Sequence, residues 1–388
     1  MSGRLEQLTL LVPSKDRPDF LGRLLRYYHR AGFPGCIQIA DASCGEEARR
    51  AQVIVRTMSG HLNVRYANYP KLRHDECWKR INESIATPYV AFLGDDDFLI
   101  PSGLEQCLAF LETHPDYHAA HGAAGLFQLK VPGPYGEVAW VEPYGGLRPL
   151  EQDTAAGRLR ELFHRYSVPL FCVHRAPVWQ AIWQHSRADL EWEISTELMP
   201  GALSAVQGKI KRLPGLYLMR QVHPQKHYNA DAFEWILGAA WQPSGLVLLE
   251  RLTERLARQD HLPIPKAQAI VRQAWWWYVA SDLMGEWQRR YTPNRPRRWR
   301  EAAGTLPFLR ASWHALQAWG RGFGELSLPA LLQARSCYHR AFLPVYEAVT
   351  QGEDGNPEPP PPVTLNATES VQAHALTALE PRHEVSVP

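Results

Sequence analysis

Short apolar runs alternate with amphipathic segments through the first third of the chain, and this alternation is typical of a parallel β-sheet covered by helices. The first run, Leu8–Val12, ends at Pro13 and is followed by apolar residues at helical spacing from Phe20 to Tyr28. Further apolar runs occur at Cys36–Ala40 and Tyr89–Leu93, and Leu62, Val64 and Tyr66 alternate with polar residues as in a half-buried strand. This region is therefore predicted to have an α/β fold with a mostly parallel sheet and flanking helices.

The pattern changes further along the chain. A Gly- and Pro-rich segment over residues 131–149 predicts a hairpin or a long loop, and the apolar run Val168–Val173 predicts another strand. From about residue 244 leucines recur only at helical spacing. The predicted parts are an α/β domain over 1–243, an all-helical region over 244–351 and a disordered Pro-rich tail over 352–388.

The composition excludes several classes of protein. The chain has 388 residues, 45% of them hydrophobic, which is enough for a sizeable core in roughly two globular units. Lys and Arg number 42 against 40 Asp and Glu, and this near balance speaks against a nucleic-acid partner. The six cysteines form no C-x-x-C pair, which argues against a zinc site or a disulfide framework. Without a signal-peptide pattern or an apolar segment of membrane-spanning length, the protein is expected to be cytoplasmic.

Three consecutive aspartates, Asp95–Asp97, follow the strongly apolar run Tyr89–Leu93 after one glycine. Adjacent carboxylates raise one another's pKa and need a cation or solvent exposure to relieve the repulsion. A hard divalent ion such as Mn²⁺ or Mg²⁺ prefers oxygen ligands of this kind. The alternative is a solvated acidic turn in which one aspartate caps the next helix.

Polar clusters follow three of the predicted strands. They are Pro13–Arg17, Asp41–Ser43 and Gly94–Asp97. In open parallel sheets, ligands bind at the carboxyl ends of the strands. The three clusters are therefore predicted to form one site.

Two of these regions resemble family 2 glycosyltransferases of the GT-A fold. The resemblance is carried by Leu8–Pro18 and Tyr89–Pro101, together with Asn82 and Ala86 in the helix between them, and it covers about residues 8–225. It implies a GT-A-like sheet and metal-dependent transfer of a single sugar from a nucleotide diphosphate-sugar. The implied acceptor is a hydroxyl of a glycan, a lipid-linked molecule or a protein, as in the biosynthesis of surface polysaccharides or glycoproteins.

The resemblance also implies roles for individual residues on the donor side. Asp41 matches the aspartate that reads the base of the nucleotide. Lys71 and Arg73 match the region where a basic residue contacts the nucleotide, although a solvated surface charge is the alternative for each. The other implied nucleotide-sugar-binding residues are Pro13, Ser14, Asp16, Arg17, Asp95 and Asp96.

The implied metal ligands are Asp97 and His223. Asp97 matches the metal-binding aspartate of the family, with Asp95 and Asp96 facing the ribose or a metal-bound water. Many GT-A enzymes place a histidine where His223 stands, and imidazole is a plausible ligand beside carboxylates. His223 is preferred to His227 because it follows the preceding strand more closely.

Inverting transfer needs a base that takes the proton of the acceptor hydroxyl. Glu197 is the first candidate and Glu193 the second, since family members carry an acidic group here and a Gly-Lys turn downstream, as at Gly208–Ile210. The family's acidic pair is absent, because Ile194 and Ser195 occupy its place. This departure leaves open a retaining or acceptor-assisted mechanism, and either glutamate could instead be an exposed helix carboxylate.

Two other functions stay open on the sequence. A sugar-phosphate nucleotidyltransferase shares the parallel sheet and the acidic metal site, but it usually has a Gly-rich loop after its first strand, and Pro13–Arg17 contains no glycine. A catalytically inactive GT-A-like binding or assembly protein fits the missing acidic pair, while the intact Asp95–Asp97 speaks against it.

The predicted helical region contains Trp275–Tyr278 and an arginine-rich stretch, Arg289–Arg300. Aromatic rings beside arginines can hold a sugar, an anionic lipid headgroup or a nucleic acid strand, but four adjacent aromatics in a helix mostly fill core. Peripheral contact with the inner face of the membrane is therefore one hypothesis for the arginines. The Q-x-x-R-W signature of processive enzymes does not follow the predicted site, which favours addition of a single sugar.

Overall fold

The computed structural model describes residues 3–70, 72, 74–184, 189–224, 232–291 and 325–352. Their strands are β1 (Leu8–Ser14), β2 (Cys36–Asp41), β3 (Val64–Asn68), β4 (Tyr89–Phe92), β5 (Phe98–Leu99), β6 (Tyr117–Leu129), β7 (Val138–Pro143), β8 (Val173–Arg175) and β9 (Lys209–Val222). Their helices are α1 (Pro18–Arg30), α2 (Gly45–Met58), α3 (His74–Glu83), α4 (Pro101–Thr113), α5 (Ala155–His164), α6 (Ala176–Trp183), α7 (Met199–Gln207), α8 (Ala232–Leu237), α9 (Trp241–Gln259), α10 (Ile264–Tyr291), α11 (Leu328–Leu331) and α12 (His339–Thr350). Short 3₁₀ turns cover Leu5–Gln7 and Pro169–Phe171, and Ile194–Leu198 form a π-helical turn.

All nine strands belong to one mixed sheet in the order β3-β2-β1-β4-β8-β6-β9-β5, with β7 paired to β6 beside this path. β1 runs parallel to β2 and β4, and β2 runs parallel to β3. β8 is antiparallel to both β4 and β6, so β6 and its parallel neighbour β9 again run in the direction of β1. The carboxyl ends of β1, β2, β4, β6 and β9 therefore lie at one edge of the sheet. The predicted α/β fold with flanking helices is confirmed.

The first strands and helices form where the apolar pattern predicts them. Every residue of β1 and β2 is buried, which explains why both strands read as nearly continuous apolar runs. α1 begins at Pro18, whose fixed φ suits the first turn of a helix. Helix α3 lies against β1 and β2, and α4 lies against β6 and β9. These contacts hold the strand ends in fixed positions around the predicted site.

The strand predicted over Val168–Val173 is wrong over most of its length. Pro169–Phe171 form a 3₁₀ turn that the Cys172 N–H closes on the Pro169 carbonyl at 3.0 Å, and β8 begins only at Val173. Pro169 has no N–H to donate to a neighbouring strand, so the apolar run turns before it can pair. The hairpin predicted over residues 131–149 is present as the antiparallel pair of β6 and β7.

The predicted C-terminal region is helical in its described residues. α9 packs against α7, and α10 packs against α5 and α9, so these helices extend the core of the α/β part. α9 begins at Trp241, just before the boundary predicted at residue 243. The predicted tail lies outside the described residues except for Gly352. Among the described helices, none combines the length and the apolar character that a membrane crossing requires.

Three histidines are buried within the sheet. His118 and His121 lie on β6 and His174 lies on β8, each with less than a twentieth of its surface exposed. Burial lowers the pKa of His121 and of His174 to about 4, and it lowers the pKa of His118 as well. The folded protein therefore resists protonation at sites that the unfolded chain protonates below about pH 6.5.

We expect these histidines to make stability depend on pH. Below about pH 6.5 the unfolded chain binds protons at these histidines that the folded protein does not. Each buried histidine therefore lowers the free energy of unfolding by about 1.4 kcal/mol for every pH unit below about 6.5, down to its pKa in the folded protein. In His121→Asn, the free energy of unfolding measured with urea between pH 7 and pH 5 should fall less steeply than in wild type. His61→Asn, at an exposed position, is the matched control and should keep the wild-type slope. Equal slopes in wild type and His121→Asn would contradict this account.

Candidate active site

Asp95 is held between the end of β1 and the loop that follows it. Ser14 donates a hydrogen bond from Oγ to Asp95 Oδ2 at 2.7 Å, and Arg17 pairs with Oδ1 at 2.5 Å. The Asp95 carboxylate is fully buried, and burial raises its pKa to about 7 against the opposing charge of Arg17. Asp95 therefore fixes the loop after β1 onto the loop after β4, and its carboxylate does not face solvent.

Asp96 faces the open side of the same edge, and its side chain is 19% exposed. Its Oδ2 accepts hydrogen bonds from Arg17 Nη1 at 3.0 Å and from His223 Nε2 at 2.7 Å. Burial acts to raise the pKa of Asp96, but the His223 hydrogen bond and the Arg17 charge outweigh it and hold the pKa below its usual range. The His223 ring stacks on Phe20 of α1 at 5.0 Å between centroids. Asp96 and His223 thus form an oriented carboxylate–imidazole pair.

Asp97 points into the protein and is 2% exposed. Arg220 of β9 donates from Nε to Oδ2 at 2.9 Å, and the Gln221 N–H donates to Oδ1 at 3.1 Å. Burial raises the pKa of Asp97 to about 6, and the Arg220 charge opposes that rise. Asp97 therefore joins the loop after β4 to the end of β9. The structure places His223 against Asp96, while Asp97 lies with Arg220.

Arg220 is enclosed by aromatic rings. Its guanidinium lies 4.4 Å from the ring centroid of Phe171 and 5.0 Å from that of Tyr144, whose hydroxyl accepts a hydrogen bond at 3.0 Å. The Asp97 carboxylate, despite desolvation, raises the pKa of the Arg220 guanidinium. Arg220 lies on β9, and the sequence pattern does not identify it as the partner of Asp97.

A second arginine that sequence reasoning missed is Arg23 of α1, which is 1% exposed. It donates to the Asp96 carbonyl at 2.7 Å, to Gln221 Oε1 at 2.5 Å and to the Pro134 carbonyl at 2.6 Å. Burial lowers its pKa to about 10, so it stays charged at neutral pH. Its position was the available signal, because Arg23 lies three residues after Phe20 and four before Tyr27 on the buried side of the amphipathic helix α1.

Asp41 ends β2 and is fully buried. Its Oδ1 accepts hydrogen bonds from the N–H and Oγ of Ser43, and its Oδ2 accepts one from the Tyr66 hydroxyl at 2.6 Å. The Ser43 hydroxyl in turn accepts the Asp16 N–H at 2.7 Å, and Asp16 adopts a left-handed φ of 54°. Asp41 therefore fixes the loop after β1 to the loop after β2. Pro13 lies within β1 and pairs with Ala40, the residue before Asp41.

Glu197 lies in the π-helical turn that precedes α7, where the Met199 N–H bonds to the Ile194 carbonyl five residues back. π-Helical turns are rare and often occur at functional sites. The Tyr166 hydroxyl donates to Glu197 Oε1 at 2.9 Å. Burial raises the pKa of Glu197, while Tyr166 and the charge of Arg220 act in the opposite direction. Glu193 lies one helical turn earlier, and its charge also acts on Tyr166.

Some predicted residues cannot be placed. Lys71, Arg73, His227 and most of Arg289–Arg300 lie outside the described residues. Several of the predicted residues belong to one connected set of hydrogen bonds and ion pairs. In it, Asp41 is linked to Asp95–Asp97 through Ser43 and the loop after β1, and Arg220 pairs with Asp97. Glu197 holds Tyr166 and lies within reach of the Arg220 charge.

A metal–diphosphate complex needs carboxylate or imidazole ligands and positive charge from a protein, and this connected set contains both. The described part of the chain contains no group of three or more His, Cys, Asp or Glu side chains that could hold a metal ion. Asp96 and His223 provide one carboxylate and one imidazole, and Mg²⁺ is commonly held by one or two carboxylates plus substrate phosphates. Asp96 and His223 therefore fit a metal whose remaining ligands come from a bound diphosphate and water.

No protein-family model matches the chain, and no curated protein matches it. Among solved structures, S. aureus TarS 1–349 in complex with UDP-GlcNAc is 12% identical, with a TM-score of 0.49 over 78% of this chain and 80% of that chain. The same TarS fragment in complex with UDP has a TM-score of 0.43 at 12% identity, over 79% and 77%. A mycobacterial protein has a TM-score of 0.33 at 13% identity, over 66% and 75%. These likenesses are low, and nothing about the ligand or activity of this chain follows from them.

The pairing of Asp97 with Arg220 predicts a structural cost when Asp97 is truncated. Asp97→Ala leaves the Arg220 guanidinium and the Gln221 N–H without their acceptor, and we expect the free energy of unfolding to fall by about 2 kcal/mol. Denaturant titration measures this loss. Asp153→Ala is the matched control, because its ion pair with Lys209 is equally short at 2.8 Å but Asp153 is 93% exposed.

The control should unfold like wild type. The double variant Asp97→Ala/Arg220→Met should lose less stability than the two single variants together, since removing both partners leaves no unpaired charge. Additive losses, or an Asp97→Ala protein as stable as Asp153→Ala, would show that this ion pair does not hold β9 to the loop after β4.

Proposed function

We propose that the chain is a metal-dependent glycosyltransferase that moves a single sugar from a nucleoside diphosphate-sugar to an acceptor hydroxyl. The observation that carries this proposal is the connected set of charged and polar side chains at the carboxyl ends of β1, β2, β4 and β9. It contains Asp41, Arg17 and the Asp96–His223 pair, and the charge of Arg220 acts on Glu197. We assign Asp41 to the nucleoside, Arg17 and the Asp96–His223 pair to the diphosphate, and Glu197 to the acceptor hydroxyl. We further propose a family 2-like GT-A fold and a glycan, lipid-linked or protein acceptor.

The donor end would bind the nucleotide through Arg17 and Asp41. Arg17 presents a planar guanidinium that can hold two phosphate oxygens at once, and its side chain is 14% exposed. A diphosphate bound at Arg17 would compete with Asp95 and Asp96 for the guanidinium. Asp41 would face the nucleoside through the loop that it orders with Ser43 and Tyr66.

Asp96 and His223 are the proposed metal ligands. A divalent ion such as Mn²⁺ or Mg²⁺ supplies positive charge that offsets the charge of a bound diphosphate. The stacking of His223 on Phe20 and the hydrogen bond to Asp96 keep the imidazole beside the Asp96 carboxylate. Arg17 meanwhile retains Asp95 as a partner, so the loop after β1 stays in place when Asp96 turns to a metal.

Glu197 is the proposed base. A raised pKa makes its carboxylate a better proton acceptor, and Tyr166 holds Oε1 in a fixed orientation. The acceptor hydroxyl gives its proton to Glu197 while its oxygen bonds to the anomeric carbon of the sugar. The bond from that carbon to the diphosphate oxygen breaks, and its electron pair leaves with the nucleoside diphosphate. Attack opposite the leaving group inverts the anomeric configuration.

A second candidate function is a GT-A-like protein that binds a partner and catalyses nothing. One observation favours it: all three aspartates of the acidic triplet already have partners within the chain, in Arg17, His223 and Arg220. Carboxylates that are satisfied by ion pairs within the chain do not need a ligand. The two functions differ in whether a nucleotide can displace these pairs.

The proposed function first predicts joint binding of the donor and the metal. With Mn²⁺, one member of a panel of nucleoside diphosphates and nucleotide sugars should stabilise the protein by about 2.7 kcal/mol at a hundred times its Kd, measured by thermal unfolding. The panel includes UDP and UDP-GlcNAc, the ligands present in the TarS structures. Because the protein supplies only part of the metal's ligands, Mn²⁺ alone should give a smaller shift. Asp96→Asn should abolish the dependence on Mn²⁺, whereas the exposed control Asp153→Asn should retain it. No shift with any member favours the non-catalytic candidate.

The second prediction separates the two candidate bases. Glu197→Gln removes the proton acceptor while keeping the Tyr166 contact possible, so transfer should slow by about a hundredfold or more while nucleotide binding is kept. Release of nucleoside diphosphate in the presence of acceptor measures the rate, and calorimetric titration measures binding. A larger loss in Glu193→Gln than in Glu197→Gln would reverse the assignment. Wild-type rates in both variants would exclude either glutamate as the base.

A further inference from the structure

The exposed side of α10 carries large apolar residues in an unusual concentration. Trp276, Trp277, Met284, Trp287 and Tyr291 are between 46% and 61% exposed. On a helix with 3.6 residues per turn their side chains fall within an arc of about 100°, over a length of about 22 Å. We call these five residues the α10 apolar face. An apolar surface of this kind on a folded protein usually marks an interaction site.

The opposite side of α10 accounts for its packing in the core. Ala267, Val271, Trp275 and Tyr278 are buried on that side, and α10 packs against α5, α8 and α9. The aromatic run at residues 275–278 is therefore divided, because its first and last members fill core while the middle two project outward. Of the two outward residues, Trp277 stacks on the His164 ring of α5.

The charges around the α10 apolar face are positive. Lys266 projects within the same arc and Arg272 is exposed at its border, while Arg290, also at the border, forms an ion pair with Glu286 at 2.7 Å. The two acidic residues of α10, Asp282 and Glu286, project away from the arc by the same helical geometry. The sequence beyond Tyr291 continues with arginines at 295, 297, 298 and 300 and has no acidic residue before 301. A partner for this face is therefore expected to be anionic.

We propose that the α10 apolar face docks the protein onto an anionic lipid surface. Trp and Tyr favour the interface between lipid chains and water because each ring has an apolar body and a polar group. A helix that lies in that interface has an apolar side bearing Trp and Met and a border of Lys and Arg, and anionic lipids add an electrostatic attraction. α10 has both features, and no described helix of the chain could cross the membrane instead.

The contacts toward the proposed base leave from the other side of α10. Tyr278, which fills core opposite the α10 apolar face, contacts the Tyr166 ring at 5.1 Å, and Tyr166 donates to Glu197. The docking is therefore independent of the proposed function.

Vesicle binding tests the proposal with the full chain and without nucleotide. Wild-type protein should co-sediment with vesicles of phosphatidylglycerol and phosphatidylcholine, bind several-fold less to pure phosphatidylcholine, and bind less in high salt. The triple variant Trp276→Ser/Met284→Ser/Trp287→Ser should bind anionic vesicles at least tenfold more weakly. Val53→Ser/Leu246→Ser is the matched control, since both residues are 61% exposed but lie on α2 and α9, and it should bind like wild type.

Tryptophan fluorescence of the wild-type protein gives a second readout that requires no variant. Insertion of exposed indoles into lipid should shift the emission to shorter wavelength and allow quenching by brominated lipid chains. Absence of binding and quenching with anionic vesicles overturns the proposal. The proposal is also overturned if the wild-type protein is a dimer without lipid and the triple variant is a monomer, since the face would then join two copies of the chain. A large fall in thermal stability of the triple variant, without quenching in wild type, would show that the chain itself covers the face. Asp96→Asn should bind vesicles like wild type, which separates this proposal from the proposed function.

Discussion

Three successive carboxylates at the end of a buried strand have to be compensated, and the chain compensates them with cations from both sides of β4. Arg17 follows β1 and pairs with the first two aspartates, while Arg220 lies on β9 and pairs with the third. The carboxylates repel one another strongly at short range, so removal of either arginine leaves charge that burial penalises. The same ion pairs therefore fix the strand ends and the positions of the proposed site residues. Stability and the proposed function depend on one set of contacts.

Much of the first half of the sheet could be predicted because its strands carry their own signal. β1, β2 and β4 are buried and read as apolar runs, and their parallel order follows from the helices between them. The run Val168–Val173 gave a wrong strand because Pro169 interrupts pairing, which an apolar pattern does not reveal. The parallel pairing of β6 with β9 joins segments about ninety residues apart, and no local pattern specifies such a pairing.

The site could be predicted as a location but not as a set of contacts. That the loops after β1, β2 and β4 meet follows from the rule that ligands bind at the carboxyl ends of parallel strands. The register of β9 determines that His223 meets Asp96 and that Arg220 meets Asp97, and this register is fixed by tertiary packing. Arg23 was missed for a related reason, since an arginine in an amphipathic helix ordinarily lies in solvent.

We propose that a nucleoside diphosphate binds at Arg17 and the Asp96–His223 pair. A crystal structure of the protein grown with Mn²⁺ and the nucleotide that stabilises it most tests this directly. We expect the diphosphate in contact with Arg17, the metal held by Asp96 and His223, and the nucleoside beside the loop that Asp41 orders. A nucleotide bound elsewhere, with the ion pairs of Arg17 to Asp95 and Asp96 unchanged, would show that these residues do not form the nucleotide site.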